Sequence, residues 1–255
     1  MKVYVLSVKS LTKYIIALIA ISAAVLVYTS YSGDRDVFSP VHDLPIYSVD
    51  CPEKKVSITF DCAWGADDIA DILNTLKQED VKATFFLQGQ WAEKFPQSVK
   101  QISDEGHDVA NHSYSHPKMG SIDRGKMISE ISMCDKVLSG ITGGKINLFR
   151  APYGDYNDSV VDAARSLGYY TIQWDVDSLD WKPGITQQEI MNRVMGKVRN
   201  GSIILFHNDT PHTAKMLPTI ITALKSKGYG FLPVSEMIMK DNYIIDFEGR
   251  QKKKE

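Results

Sequence analysis

Val56-Ser57-Ile58-Thr59-Phe60, followed at once by Asp61-Cys62, is the stretch from which the rest of the chain is read. β-Branched and aromatic side chains make 56–60 a strand, and the two polar residues mark its end. Residues 67–78 then carry Ile69, Ile72, Leu73 and Leu76 at helical spacing. The same alternation continues outward. Strands are expected at 83–87, 108–110, 146–149, 169–174, 202–206 and 230–233. Helices are expected at 91–103, 124–138, 158–167, 187–198 and 214–225. Regular strand–helix alternation implies a parallel sheet with helices outside. Seven such units in about 200 residues suit a distorted or incomplete (β/α) barrel better than an open sheet. No sequence repeat is present.

The unusual polar residues fall just after these strands. Asp61 and Cys62 follow the first, Asn111, His112 and His116 the third, and Arg150 and Tyr153 the fourth. Asp175, Asp177, Asp180 and Trp181 follow the fifth, and His207 and Asn208 end the sixth. In a parallel barrel the carboxyl ends of the strands share one rim, where active sites form. Taken singly, each has an ordinary explanation: a surface charge at Arg150, a cap at Asp177, a backbone-bonded histidine at His207. Their joint recurrence after strands is what points to a site. Within it, His112-Ser113-Tyr114-Ser115-His116 could direct two imidazoles at one metal ion if the intervening backbone is helical. That spacing alone is a weak motif.

The chain has 255 residues, 44% hydrophobic and 24% charged, which is a globular composition. A net charge of −2 gives no support for nucleic-acid binding. Three cysteines, Cys51, Cys62 and Cys134, cannot all pair, so disulfides are not the basis of stability, although Cys51 and Cys62 could bridge. Residues 1–13 carry Lys2, Lys9 and Lys13 and no acid, and 14–28 is apolar. This reads as a signal peptide or, with no clean small-residue cleavage site after it, an uncleaved membrane anchor. The lysines ahead of it place the N-terminus in the cytoplasm and the domain outside. The expected division is therefore a basic tip and anchor over 1–31, a linker over 32–53, a catalytic domain over 54–243 and a charged tail over 244–255.

The ordered motifs resemble those of the polysaccharide deacetylases, metal-dependent carbohydrate esterases that remove N- or O-acetyl groups from chitin, peptidoglycan and xylan. They read Thr59-Phe60-Asp61-Cys62, His112-Ser113-Tyr114-Ser115-His116, Arg150-Ala151-Pro152-Tyr153-Gly154, Asp177-Ser178-Leu179-Asp180-Trp181 and Leu205-Phe206-His207. The similarity spans roughly 54–234. The continuation Cys62-Ala63-Trp64-Gly65 resembles a sporulation-associated branch in spore-forming bacteria. The resemblance implies that His112 and His116 bind a divalent metal, usually zinc, which activates water and polarises the acetyl carbonyl. It implies Asp61 as general base, Arg150 as its orienting partner, and the Tyr153 N–H as an oxyanion donor. It further implies His207 as general acid, Asp180 as the group that keeps it charged, and Trp181 and Leu205 as walls of the acetyl pocket.

Cys62 departs from the family pattern, in which a second aspartate is the third metal ligand. A Cys62 thiolate could complete a Cys/His/His zinc shell, Asp67 or Asp68 could reach back, the metal could be held by two histidines and water, or catalysis could be lost and glycan binding retained. The expected function is deacetylation of N-acetylated cell-wall glycan, peptidoglycan and with it spore cortex. The competing readings are a non-catalytic glycan-binding protein and an O-acetyl polysaccharide esterase. The implied partners are acetylated wall polysaccharide and, through 14–28, the membrane.

Overall fold

The computed structural model describes residues 18, 19, 21, 22 and 43–254. The expected anchor therefore falls, but for four residues, outside the described residues. Among these, no helix is long and apolar enough to cross a membrane. Residues from Asp43 onward form one compact unit, which carries the site.

The strands of this unit begin with β1 (Ser48–Val49), β2 (Lys55–Cys62), β3 (Thr84–Leu87) and β4 (Asp108–Asn111). They continue with β5 (Leu148–Phe149), β6 (Tyr170–Thr171), β7 (Val176–Asp177), β8 (Ile203–His207) and β9 (Gly230–Phe231). The last two are β10 (Tyr243–Ile245) and β11 (Arg250–Lys253). Seven strands run in the order β6-β5-β4-β3-β2-β8-β7, all paired in parallel. This is a curled parallel half-barrel: the two outermost strands, β6 and β7, are successive in the chain. The helices are α1 (Ile69–Gln78), α2 (Gly89–Lys94), α3 (Pro96–Asp104), α4 (Arg124–Thr142), α5 (Asp158–Ser166), α6 (Gln187–Lys197), α7 (Thr213–Ser226) and α8 (Val234–Met237).

Strand alternation sorts side chains between two cores. Val56, Ile58, Phe60 and Cys62 of β2 face the helices, in a cluster with Ile72 and Leu76 of α1 and Ile220 of α7. The intervening Ser57, Thr59 and Asp61 face the inner side, where a second cluster contains Phe86, Ala110, Leu148, Ile172 and Ile203. The helices begin where their caps dictate. The Asp123 and Asn157 side chains accept from the third residue beyond them at α4 and α5, and Thr186 and Glu189 form a reciprocal capping box at α6.

Four expectations need correction. The helix expected over 91–103 is broken into α2 and α3 at Phe95-Pro96, because proline cannot donate into a continuing helix. The strand expected at 169–174 shrinks to two residues, and the unexpected β7 completes the seven. The expected last strand is only β9, which pairs with Lys55 and Val56 at the start of β2 and lies off the main path. Residues expected to be linker and charged tail instead build a second sheet in the order β1-β11-β10. There Lys252 pairs with Asp246 at 2.7 Å.

Candidate active site

Register places the first two site residues side by side. β2 and β8 pair with Asp61 opposite His207, both on the inner side of the sheet. Beneath Asp61, Arg150 is fully buried and makes three hydrogen bonds. Its Nη1 donates to Asp61 Oδ1 at 2.6 Å and to Thr59 Oγ1 at 2.9 Å, and its Nη2 donates to the Gln173 carbonyl at 3.0 Å. The guanidinium also lies 3.9 Å over the Phe86 ring. Burial alone would push Asp61 toward its neutral form. The Arg150 charge, with that of His207, outweighs this and holds the carboxyl below its ordinary range. Asp61 is thus an ionised carboxylate with one oxygen fixed and the other turned toward the histidines.

That second oxygen, Oδ2, lies 3.6 Å from His112 Nε2. His112 Nδ1 is 2.8 Å from the Arg150 carbonyl. A carbonyl only accepts, so Nδ1 carries the ring proton and Nε2 presents a lone pair. Burial favours the neutral ring and pulls its pKa down. A bare nitrogen and a carboxylate oxygen therefore face each other with no proton between them. That is an arrangement a cation relieves. The His116 ring stands 5.0 Å from that of His112, between centroids, and is also held neutral, largely by burial.

The two imidazoles do not converge through a helix, as their spacing suggested. Residues 112–118 are irregular, and Ser113 and His116 adopt positive φ, 61° and 62°. This loop is held from α4. Glu130 accepts from the Tyr114 N–H at 3.0 Å, the Ser115 N–H at 2.7 Å and the Ser115 hydroxyl at 2.6 Å. A single carboxylate absorbing three donors supplies the energy that the left-handed residues cost.

His207 is oriented by Asp180. Asp180 Oδ1 is 2.8 Å from His207 Nδ1, while its Oδ2 accepts from the His207 backbone N–H at 2.7 Å and from Thr213 Oγ1 at 2.5 Å. Burial opposes charge on the ring, but the Asp180 hydrogen bond and charge, with Asp61 and Asp177 behind them, raise its pKa above 6.5. Nε2 is left as the ring atom that can exchange a proton. The opposite shifts have a consequence for stability. His107 and His116 are depressed to about 4, and His112 also downward, largely by burial. The unfolded chain takes up protons at these groups near pH 6.5 and the folded chain does not, so their contribution is lost as pH falls from 6.5 to about 4. His207 has the other sign: its contribution is present below 6.5 and lost as pH rises through its folded value. With three groups against one, the urea midpoint is expected to fall between pH 7 and 4.5. Buried His107 alone accounts for ~3 kcal/mol by pH 4, and an unchanged midpoint would contradict this balance.

The structure brings Asp61, Arg150, His112, His116, Asp180 and His207 together. Tyr153 joins them at the rim, 62% exposed, in a left-handed turn with φ 60°, its ring 4.6 Å from that of His116. Leu205 is buried on the inner face one register step below His207, and Trp181 stands exposed beside Asp180. Asp175 and Asp177 have structural partners instead: Asp175 accepts from the Ile203 N–H and the Ser202 hydroxyl, and Asp177 from the Leu179 N–H. Cys62 lies apart from the site. It is fully buried on the helix side with Phe60, its thiol pushed well above the usual range by burial and by the Asp61 and Asp68 carboxylates. It makes no bridge to Cys51; all three cysteines are free.

Among the described residues, no group of three or more His, Cys, Asp or Glu is arranged to hold a metal ion. The residues present fit a divalent cation held by two imidazoles, one protein ligand short of a three-ligand shell. The Cys62 ligand expected from sequence is not supplied: the short thiol is packed in the helix-side cluster with Phe60. Sequence reading missed Glu130 and Thr213, which lie on helices and carry no motif; only their contacts reveal them.

The polysaccharide deacetylase profile matches residues 48–172. A peptidoglycan-N-acetylglucosamine deacetylase of Bacillus cereus is 37% identical over 188 residues, spanning 72% of this chain and 68% of the relative. The chain belongs to the polysaccharide deacetylase family. The protein YlxY of Bacillus subtilis is 34% identical over 197 residues, covering 76% of this chain, which spans 60% of that relative's length. Among solved structures of this family, BA3943 of Bacillus anthracis, a CE4 family pseudoenzyme, is 36% identical with a TM-score of 0.73, covering 76% of this chain and 68% of that one. A mutant of it has restored enzymatic activity.

Proposed function

We propose that this family member removes acetyl groups from N-acetylated cell-wall glycan, with peptidoglycan, including spore cortex, as substrate. The observation that carries the reading is the juxtaposition of an ionised Asp61 and a proton-bearing His207 on paired strands, each held by its own buried partner. Asp61 accepts the proton of a water that attacks the acetyl carbonyl carbon. His207 Nε2 gives its proton to the sugar nitrogen as the carbon–nitrogen bond breaks, so acetate and a free amine leave. Arg150 keeps Asp61 charged and aimed, and the Tyr153 N–H steadies the oxyanion. A divalent cation, usually zinc in this family, would be held by His112 and His116 and would supply Lewis acidity toward the carbonyl and the water. The apolar segment over 14–28 supports a membrane anchor that keeps the domain beside the wall, or secretion after cleavage.

The position of Cys62 favours a second reading. With the third ligand absent, the protein binds wall glycan and turns it over slowly or not at all, and the likeness to a pseudoenzyme supports this. Acetate release from purified peptidoglycan, with and without added zinc or cobalt, separates the two readings. On the first, release depends on metal, and Asp61→Asn and His207→Ala each lower it about 10²-fold or more. Release that persists in either variant refutes the assigned roles. Saturable binding without release supports the second reading.

A further inference from the structure

Trp64 follows β2 and is 57% exposed, yet it does not sit on a loose loop. The next residue, Gly65, is fixed through both backbone groups. Its carbonyl accepts from Trp91 Nε1 at 2.8 Å and Asn208 Nδ2 at 2.5 Å, and its N–H donates to Asp209 Oδ2 at 2.9 Å. A Cβ at residue 65 would lie 2.6 Å from Asp209 Cγ, so a side chain there would have to displace the carboxylate that holds the Gly65 N–H. The indole is therefore held out on a backbone tied to α2 and to the loop after β8. Its ring lies 5.6 Å from that of His116, inclined at 65°, and Tyr153 approaches the same imidazole.

Single exposed apolar side chains are ordinary. Trp64 and Tyr153 instead meet at one imidazole of the site, and exposed Trp181 adjoins Asp180 of the same site. A rigid indole with an open face suits a flat, amphipathic ligand. The N-acetylglucosamine ring is such a ligand: its substituents are equatorial, so each face is a patch of axial C–H groups. Trp64 touches the site through His116, at its edge, whereas the reacting acetyl group must sit between Asp61 and His207.

We infer that Trp64 is a stacking platform for the sugar next to the one being deacetylated, and that it sets a preference for oligomeric over short glycan. This rests on the wall-glycan reading above. Calorimetric titration of the full chain with chitotetraose and chitobiose tests it, using wild type, Trp64→Ala and Trp64→Phe. Wild type binds the tetramer more tightly. Trp64→Ala weakens tetramer binding about tenfold, as loss of a buried aromatic anchor does, and brings the tetramer-to-dimer ratio toward one. Trp64→Phe retains most of that ratio, which a general structural defect would not. An unchanged ratio in Trp64→Ala overturns the inference alone, and a wild type that binds neither oligomer overturns the functional reading and this inference with it.

Discussion

Arg150→Ala is expected to destabilise the protein by about 4 kcal/mol, because it leaves a buried charge without its partner. Asp61 is 5% exposed and is held ionised mainly against its own burial. Without Nη1 it must protonate or draw in water, and the Gln173 carbonyl and Thr59 hydroxyl lose a donor together. The Phe86 face loses its cation as well. Urea denaturation reads the loss. The double variant Asp61→Asn/Arg150→Met separates the two contributions: with both charges gone, it should recover much of the stability. A double variant no better than Arg150→Ala would mean that the cavity, not the uncompensated carboxylate, dominates. A single variant within 1 kcal/mol of wild type would remove the buried pair from its assigned place.

The second large effect is expected at residue 62, with opposite signs in the absence and presence of metal. Cys62→Asp places a carboxylate where burial and the neighbouring Asp61 and Asp68 already disfavour negative charge. The metal-free protein should therefore melt lower than wild type. If the side chain reaches the imidazoles, zinc becomes its counter-charge and the loss reverses. A ligand at a hundred times its Kd stabilises by about 2.7 kcal/mol. The expected result is a zinc-dependent rise in melting temperature larger than that of wild type, with increased acetate release. Cys62→Ser is the control: a residue outside the shell can be replaced with zinc affinity unchanged to within about twofold. Zinc affinity that collapses in Cys62→Ser would make the thiol a ligand. Cys62→Asp with no zinc-dependent shift would show that the third ligand cannot be restored from this position.

Much of this site is legible in the chain because its polar groups sit at strand ends. The 56–60 run, and the polar residues that follow successive strands, are local features, and a parallel barrel turns such features into one rim. What escaped was set by contacts distant in sequence. Glu130 holds the 113–116 loop from the middle of α4, and nothing in its own neighbourhood marks it. The left-handed residues at Ser113 and His116 defeat a reading by helical spacing, because their cost is met by that distant carboxylate. β1, β10 and β11 are too short for periodicity to reveal and exist only because they pair with one another. Cys62 differs from these: the sequence marked the residue as a departure, but left four arrangements open, and only its packing on the helix side of β2 decides where the thiol lies.

The pairings of the short first strand bear on where this domain physically starts. Ile46 bridges Ile172 and Ser48 bridges Ser202, so one stretch of chain ties the β6 side of the half-barrel to the β8 side. Ile46 and Val49 are each 2% exposed and belong to the inner core cluster. At Gly201 the Val49 carbonyl lies where any side chain would begin. These residues act as a cork. A truncation that starts at Lys54, where the motif-bearing part of the sequence begins, would pull that cork and wet the floor beneath Arg150. The smallest self-sufficient folding unit that carries this site therefore reaches back at least to Ile46.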